Sequence, residues 1–261
     1  MIRALNSAAT GMEAQQLLID TISNNLANVN TTGFKKSRVG FQDLIYQTLK
    51  AGATTASGEA SSSAIQVGHG SRTISTQSDF SQGEPIATQN PTDLTINGTG
   101  FFQVTMPDGS LAYSRDGSFE LSADGLLVTS DGYPVEPEIM LPQDTASISI
   151  DSTGIVSVLL IGDTEPQEVG QIELARFINP AGLESLGQNL LKPTVASGTP
   201  MVAAPGSEGL GTLLQGYLEG SNVEVIEEMV NMIVAQRAYE INSKAIKTAE
   251  DMLTVASNLK R

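Results

Sequence analysis

The chain has 261 residues, 40% of them hydrophobic and 5% aromatic, with no Trp, no Cys and a formal charge of -15. That length holds a sizeable core or more than one domain, and the missing Cys excludes disulfides, zinc thiolates and cysteine nucleophiles. The charge is uneven: residues 73–191 carry two basic groups, Arg115 and Arg176, against seventeen acidic ones, which argues against nucleic acid as a partner because phosphate binding needs clustered Lys and Arg.

Residues 1–30 carry a heptad pattern. Leu5, Met12, Ile19 and Leu26 fall seven apart, and Ala8, Gln15, Ile22 and Val29 follow three positions later, an a/d seam with a polar intruder at Gln15. The spacing predicts a helix running to about Asn28–Thr32, roughly 40 Å long, with Gly33 as its stop. No continuous apolar h-region follows Met1-Ile2-Arg3, so no cleaved signal peptide is expected. A second helix is expected over residues 39–49, where Phe41, Leu44, Ile45 and Leu49 share one helical face. Residues 51–63 are a Gly/Ala/Thr/Ser tract with one charge, Glu59, and read as a linker or an extended segment.

From Val67 to Pro193 the pattern is β. Asp-Gly pairs at Asp108, Asp116, Asp124 and Asp131 separate short runs of β formers, which predicts a tight meander with hairpin turns whose two central residues take positive φ. Further strands are expected over 147–150, 155–161 and 171–177. The longest apolar run, 155–161, is too short to span a bilayer. A Pro/Gly-rich loop over 193–211 leads back to a last helix starting near Asn222 or Glu224. There Val225, Met232, Tyr239, Ile246 and Leu253 share one heptad position. Ala235, Asn242, Ala249 and Ala256 share its partner position, with Glu228 breaking it at the start.

The expected fold class is therefore mixed α and β, long terminal helices with an all-β middle; the heptads fit a coiled coil as well as ordinary amphipathic packing in one core. Four regions follow: a helical segment over 1–50, an extended low-complexity insertion over 51–72, a β-rich domain over 73–200, and a return loop with the C-terminal helix over 201–261. Small partner positions and extra apolar residues off the seam (Val230, Ile233, Val234, Ile241) call for neighbours from other chains.

Catalytic templates find no purchase. The lone His69 sits in Gly68-His69-Gly70 and reads as a plain loop residue. No Gly-x-Ser-x-Gly elbow is present, and neither the EF-hand nor the Gly-rich β-roll pattern of calcium sites occurs. Asn97-Gly98-Thr99-Gly100 lacks the third glycine of a dinucleotide fingerprint and precedes strand formers. No catalytic residue, metal or cofactor is expected.

The stretch from Ser23 to Lys35, SNNLANVNTTGFK, resembles the N-terminal signature of the bacterial flagellar rod and hook proteins. NGTGFFQV from Asn97 and YSRDGSF from Tyr113 resemble the core of that family's β domain. Ser221-Asn222-Val223 and MVNMIVAQRAYE from Met229 resemble its C-terminal signature. FQDLIYQTL from Phe41 and the insertion over 52–70 are similar to the rod branch rather than the hook branch. The resemblance implies a non-enzymatic subunit of a helical homopolymer in the basal body, within the periplasm, exported through the flagellar type III apparatus. Its implied partners are further copies of itself, proximal rod and hook-side subunits, and the P- and L-ring proteins around the rod. It also implies terminal helices that pair antiparallel as a coiled coil, and an assembly motif at Asn24, Asn25, Leu26, Asn28, Thr31, Gly33, Phe34 and Lys35. The alternatives are another member of the same family, or an acidic extracellular β protein binding calcium or glycans on a helical stalk.

Overall fold

A computed structural model describes residues 2–50, 65–142, 144–162 and 165–258. The chain divides into two compact units. One comprises Met1–Ala27, Ser37–Gln77 and Glu224–Arg261, and the other Asn28–Lys36 and Ser78–Val223.

The first unit is built on two long helices, α1 (Ile2–Ala27) and α2 (Val225–Asn258), which pack against each other. Glu227 and Glu228 occupy the first turn of α2, where carboxylates meet the positive end of the helix dipole. Alanines make up most of the buried residues of the two helices. Ala8, Ala14 and Ile22 of α1 are buried, as are Ala235 and Ala249 of α2. At Gly11 an added Cβ would lie 2.9 Å from Nδ2 of Asn242, so the missing side chain is what lets the two helices approach there.

The second helix expected over 39–49 is absent. Ser37–Asp43 is a strand paired with Ser71–Ser78, and Tyr46–Lys50 pairs antiparallel with Ile65–Gly68. Gly40 explains part of the failure, since glycine inside a helix costs about 1 kcal/mol relative to Ala. The apolar residues that suggested a helical face do not converge on a core: Phe41, Ile45 and Leu49 are all exposed. The insertion expected over 51–72 falls mostly on 51–64, outside the described residues; its end, 65–72, supplies strand. Gly70, with φ +113, turns the chain over α1, and a Cβ there would lie 3.2 Å from Cα of Ser7.

The second unit is almost wholly β. Its largest sheet runs Glu184–Gly187, Leu190–Lys192, Leu111–Ser114, Phe101–Thr105, Leu174–Arg176 and Met201–Ala203, each antiparallel to the next, with Val135–Glu136 paired to Phe101–Thr105. A three-stranded sheet of Thr145–Ile150, Ile155–Leu160 and Gln167–Gln171 stands beside it, with the paired strands Leu94–Asn97 and Thr212–Gln215. Phe101–Thr105 is buried on both faces, as a central strand must be. Phe102 joins Leu94, Ile96, Phe119, Ile172 and Leu174 on one side. Phe101 joins Tyr113, Ala175 and Phe177 on the other, where Tyr113 and Phe177 meet edge to face at 4.8 Å.

The Asp-Gly pairs form hairpins at three of four places. The loops 107–109, 123–125 and 130–132 have one design: a three-residue connection closed by a turn bond, with glycine alone at positive φ. That is the type I turn with a left-handed third residue, not the two-residue turn expected, so the aspartates keep ordinary backbone angles. Loop 152–154 repeats it with Thr153 in place of Asp. Asp116-Gly117 is no hairpin. A Cβ on Gly117 would lie 1.7 Å from the carbonyl of Leu94, and the flanking strands pair with other partners.

Among the described residues no helix is long and apolar enough to cross a membrane.

Candidate functional site: the stapled ends of the β unit

Residues 28–36 form the amino-terminal end of the β unit, and 217–223 its carboxy-terminal end. Two turn bonds, Thr31 N–H to Asn28 O and Phe34 N–H to Thr31 O, wind the first of these into a compact corner. Gly33 was expected to end the first helix. That helix ends at Ala27, and Gly33 (φ +67) serves a different need. Its N–H donates to Glu219 O at 2.8 Å, and a Cβ would lie 2.6 Å from the backbone N of Asp116. Only glycine fits that approach and that angle.

Beside it Lys35 is buried, with Nζ 2.5 Å from Oε1 of Glu219 and 2.7 Å from Ser81 O. The other carboxylate oxygen of Glu219 meets Nη1 of buried Arg115 at 3.3 Å, and Oε1 also accepts from Gly83 N–H. Arg115 donates in turn to Gly98 O, and its guanidinium lies 5.3 Å from the centre of the Phe101 ring. Burial pushes Lys35 below the ordinary amine value of 10.5, and Glu219 partly offsets this. Arg115 is likewise lowered by burial and sustained by Glu219. One carboxylate thus compensates two cations withdrawn from water, a geometry that tolerates no missing member.

Asn222 completes the staple. Its Oδ1 accepts from Lys36 N–H at 2.7 Å while Nδ2 donates to Asp79 O at 2.8 Å. Asn189 reaches Thr32 O and Asp116 Oδ2, both at 3.1 Å. The arrangement binds chain to chain and leaves no reactive group open to a substrate. Among the described residues no group of carboxylates or histidine could hold a metal.

Of the residues expected to form an assembly motif, Asn28, Thr31, Gly33, Phe34 and Lys35 belong to this corner, Asn28, Thr31 and Phe34 half-buried, Gly33 and Lys35 buried. Asn24, Asn25 and Leu26 belong to the helical unit and take no part in the ion triad. There Asn24 is exposed and Leu26 half-buried. Asn25 is buried and holds the start of a strand, accepting from Ser37 N–H and donating to Ser37 O at 2.9 Å each. Along the expected seams Leu5, Met12, Ile19, Met232 and Ile246 are half-buried, while Val225, Tyr239 and Leu253 are exposed. Burial centres instead on the partner line, Glu228, Ala235 and Ala249 with half-buried Asn242; the side chain of Ala256 lies outside the described residues. Sequence reasoning missed Glu219, which lies 184 positions from Lys35. One signal was available: Arg115 is one of only two cations in an otherwise acidic region.

A β unit closed upon its own ends, joined to helices with apolar surface to spare, is the build of a structural subunit. Residues 5–35 match the family model described as flagella basal body rod protein. Residues 95–158 match the flagellar hook protein FlgE/F/G D1 domain, and 214–259 the flagellar basal body rod FlgEFG protein C-terminal. The chain is 54% identical to the flagellar basal-body rod protein FlgG of Borreliella burgdorferi, over the whole of both chains. It is 48% identical to that of Caulobacter vibrioides over 99% of this chain and all of the relative, and 41% identical to that of Bacillus subtilis over all of both. The flagellar hook protein FlgE of Helicobacter mustelae is 45% identical over 52% of this chain and 30% of its own length. The chain belongs to the flagellar basal-body rod and hook protein family, whose members are structural subunits and not enzymes.

Proposed function

We propose that the chain is a subunit of the distal rod, assembling with copies of itself into a stiff helical tube that carries motor torque to the hook. The observation that carries this reading is the division of α2 into two surfaces. Ala235 and Ala249 are buried within one chain, while Ile226, Met229, Val230, Ile233, Val234 and Ile241 stand exposed. Burying each of these large side chains against another copy contributes about 1.5–3 kcal/mol. A heterologous contact repeated along a screw axis builds an open tube rather than a closed ring. In this reading α1 and α2 pair antiparallel as the coiled lining of the tube; the return strands Met201–Ala203 and Thr212–Gln215, expected with the C-terminal helix, belong to the β unit. The acidic β unit faces outward.

The motif from Asn24 to Lys35 serves assembly of the rod rather than catalysis. Partners are proximal rod subunits below, hook-side subunits above, and the P- and L-ring proteins around the shaft. Passage through the flagellar export apparatus brings the chain to the periplasmic part of the basal body. Electron microscopy of filaments grown from the purified full-length chain tests the proposal. Straight tubes are expected. Curved filaments would assign the chain to the hook, and failure to polymerise at any concentration would end the self-assembly reading.

A further inference from the structure

Asn97-Gly98 is the single Asn-Gly step in the chain, and the structural role described above makes no use of it. Asn97 is exposed at the end of strand Leu94–Asn97, paired with Thr212. Such a step is chemically unstable in a flexible chain. The backbone nitrogen of Gly98, once hydroxide has removed its proton, can attack Cγ of Asn97, and glycine has no Cβ to obstruct the approach. The Cγ–Nδ2 bond breaks and ammonia departs after taking a proton from water, leaving a five-membered succinimide. Water then opens either ring carbonyl to give aspartate or isoaspartate, so one water is consumed and one ammonia released.

Here the nucleophile is held. Gly98 N–H donates to Oε1 of Gln82 at 3.0 Å, and Nε2 of the same Gln82 donates to Ile96 O at 3.2 Å. Gln82 therefore grips the backbone on both sides of Asn97. The far side of Gly98 is fixed as well, its carbonyl accepting from Arg115 at 2.9 Å, with φ at +120. Cyclisation requires Gly98 N to leave Gln82 and turn toward Cγ of its own neighbour, which the strand pairing with Thr212 opposes.

We propose that Asn97 is a latent deamidation site, and that Gln82 keeps it silent while the β unit is folded. Opening of this corner would expose it. Isoaspartate would add a backbone atom to the strand and break its register with Thr212–Gln215, making the lesion self-sustaining.

The test uses the full-length chain, wild type beside Gln82→Ala, Gln82→Glu and Asn97→Gln, held folded in mildly alkaline buffer. Modification is read by peptide mapping and by isoaspartyl methyltransferase labelling. Folded wild type is expected to react far more slowly than the same chain in urea. Gln82→Ala should react about five- to tenfold faster than wild type, the factor that loss of one net hydrogen bond corresponds to. Gln82→Glu keeps an acceptor for Gly98 N–H and should stay near the wild-type rate, and Asn97→Gln should give no signal at this peptide. A Gln82→Ala rate equal to wild type, with its melting transition intact, would overturn the proposal. So would folded wild type reacting as fast as the unfolded chain. If Gln82→Ala loses its transition, Gln82→Met decides: lacking an acceptor for Gly98 N–H, it should also react about five- to tenfold faster than wild type, and a wild-type rate refutes the proposal.

Discussion

In the β unit the largest side chains are the deepest: Phe102 and Phe119 are fully buried and Tyr113 is 1% exposed. Along α2 of the helical unit the order is reversed. Ala235 is fully buried, whereas Ile226, Val234 and Ile241 of the same helix are 73%, 62% and 65% exposed. A unit that hides its large residues is finished as a single chain. A unit that hides its small ones and shows its large ones is finished only by other chains. The contrast explains how one polypeptide combines a rigid body with an adhesive one.

The sharpest way to break the comparison is to attack the self-sufficiency of the β unit. Glu219→Ala leaves Lys35 and Arg115 buried without a counter-charge and should cost about 3–5 kcal/mol, seen as a large fall in the unit's melting transition. Gly33→Ala forces a Cβ against Asp116 at positive φ and should cost about 1–3 kcal/mol, measured by denaturant midpoint. In the helical unit Ala235→Leu overfills the small-residue contact and should also cost about 1–3 kcal/mol, read as lost helical signal in the monomer. Val234→Asp should change monomer stability by less than about 0.5 kcal/mol yet abolish polymerisation in a sedimentation assay. A marked loss of monomer helicity would mean that this side is covered within one chain.

The smallest effect concerns hairpin loops. Hydrogen bonds from Thr153 and Ser152 hold the Asp151 carboxyl below the usual 3.8. An acid with a depressed value binds fewer protons folded than unfolded, so its contribution is present above pH 3.8 and lost as pH falls through the folded value. Thr153→Ala should move the carboxyl titration of Asp151, followed by NMR, back toward 3.8.

Whatever depended on near neighbours was legible in the sequence. The terminal helices show in their heptads, and three hairpins show at Asp108, Asp124 and Asp131 because a glycine following a turn residue is a local requirement. Residues 39–49 were misread because Phe41, Leu44, Ile45 and Leu49 fit a helical face by spacing alone. Their actual partners, Ile65–Gly68 and Ser71–Ser78, lie beyond a long tract that hides the pairing. On α2 the partner positions Ala235 and Ala249 are legible in the heptads, but spacing alone does not show that they, rather than Val225, Tyr239 and Leu253, are the buried ones. The ion triad was hidden for the same reason of distance, since nothing near Lys35 announces a carboxylate at position 219.

The staple has an architectural corollary. Asp79 O accepts from Nδ2 of Asn222 at 2.8 Å, so the stretch 78–223 of the β unit begins and ends at the same place. A body whose entrance and exit coincide is a cassette. It can be enlarged, trimmed or exchanged without altering the span that the rest of the chain must bridge, provided the replacement keeps its two ends side by side. Chimaeras that exchange residues 78–223 are therefore the natural units for building shafts of new diameter.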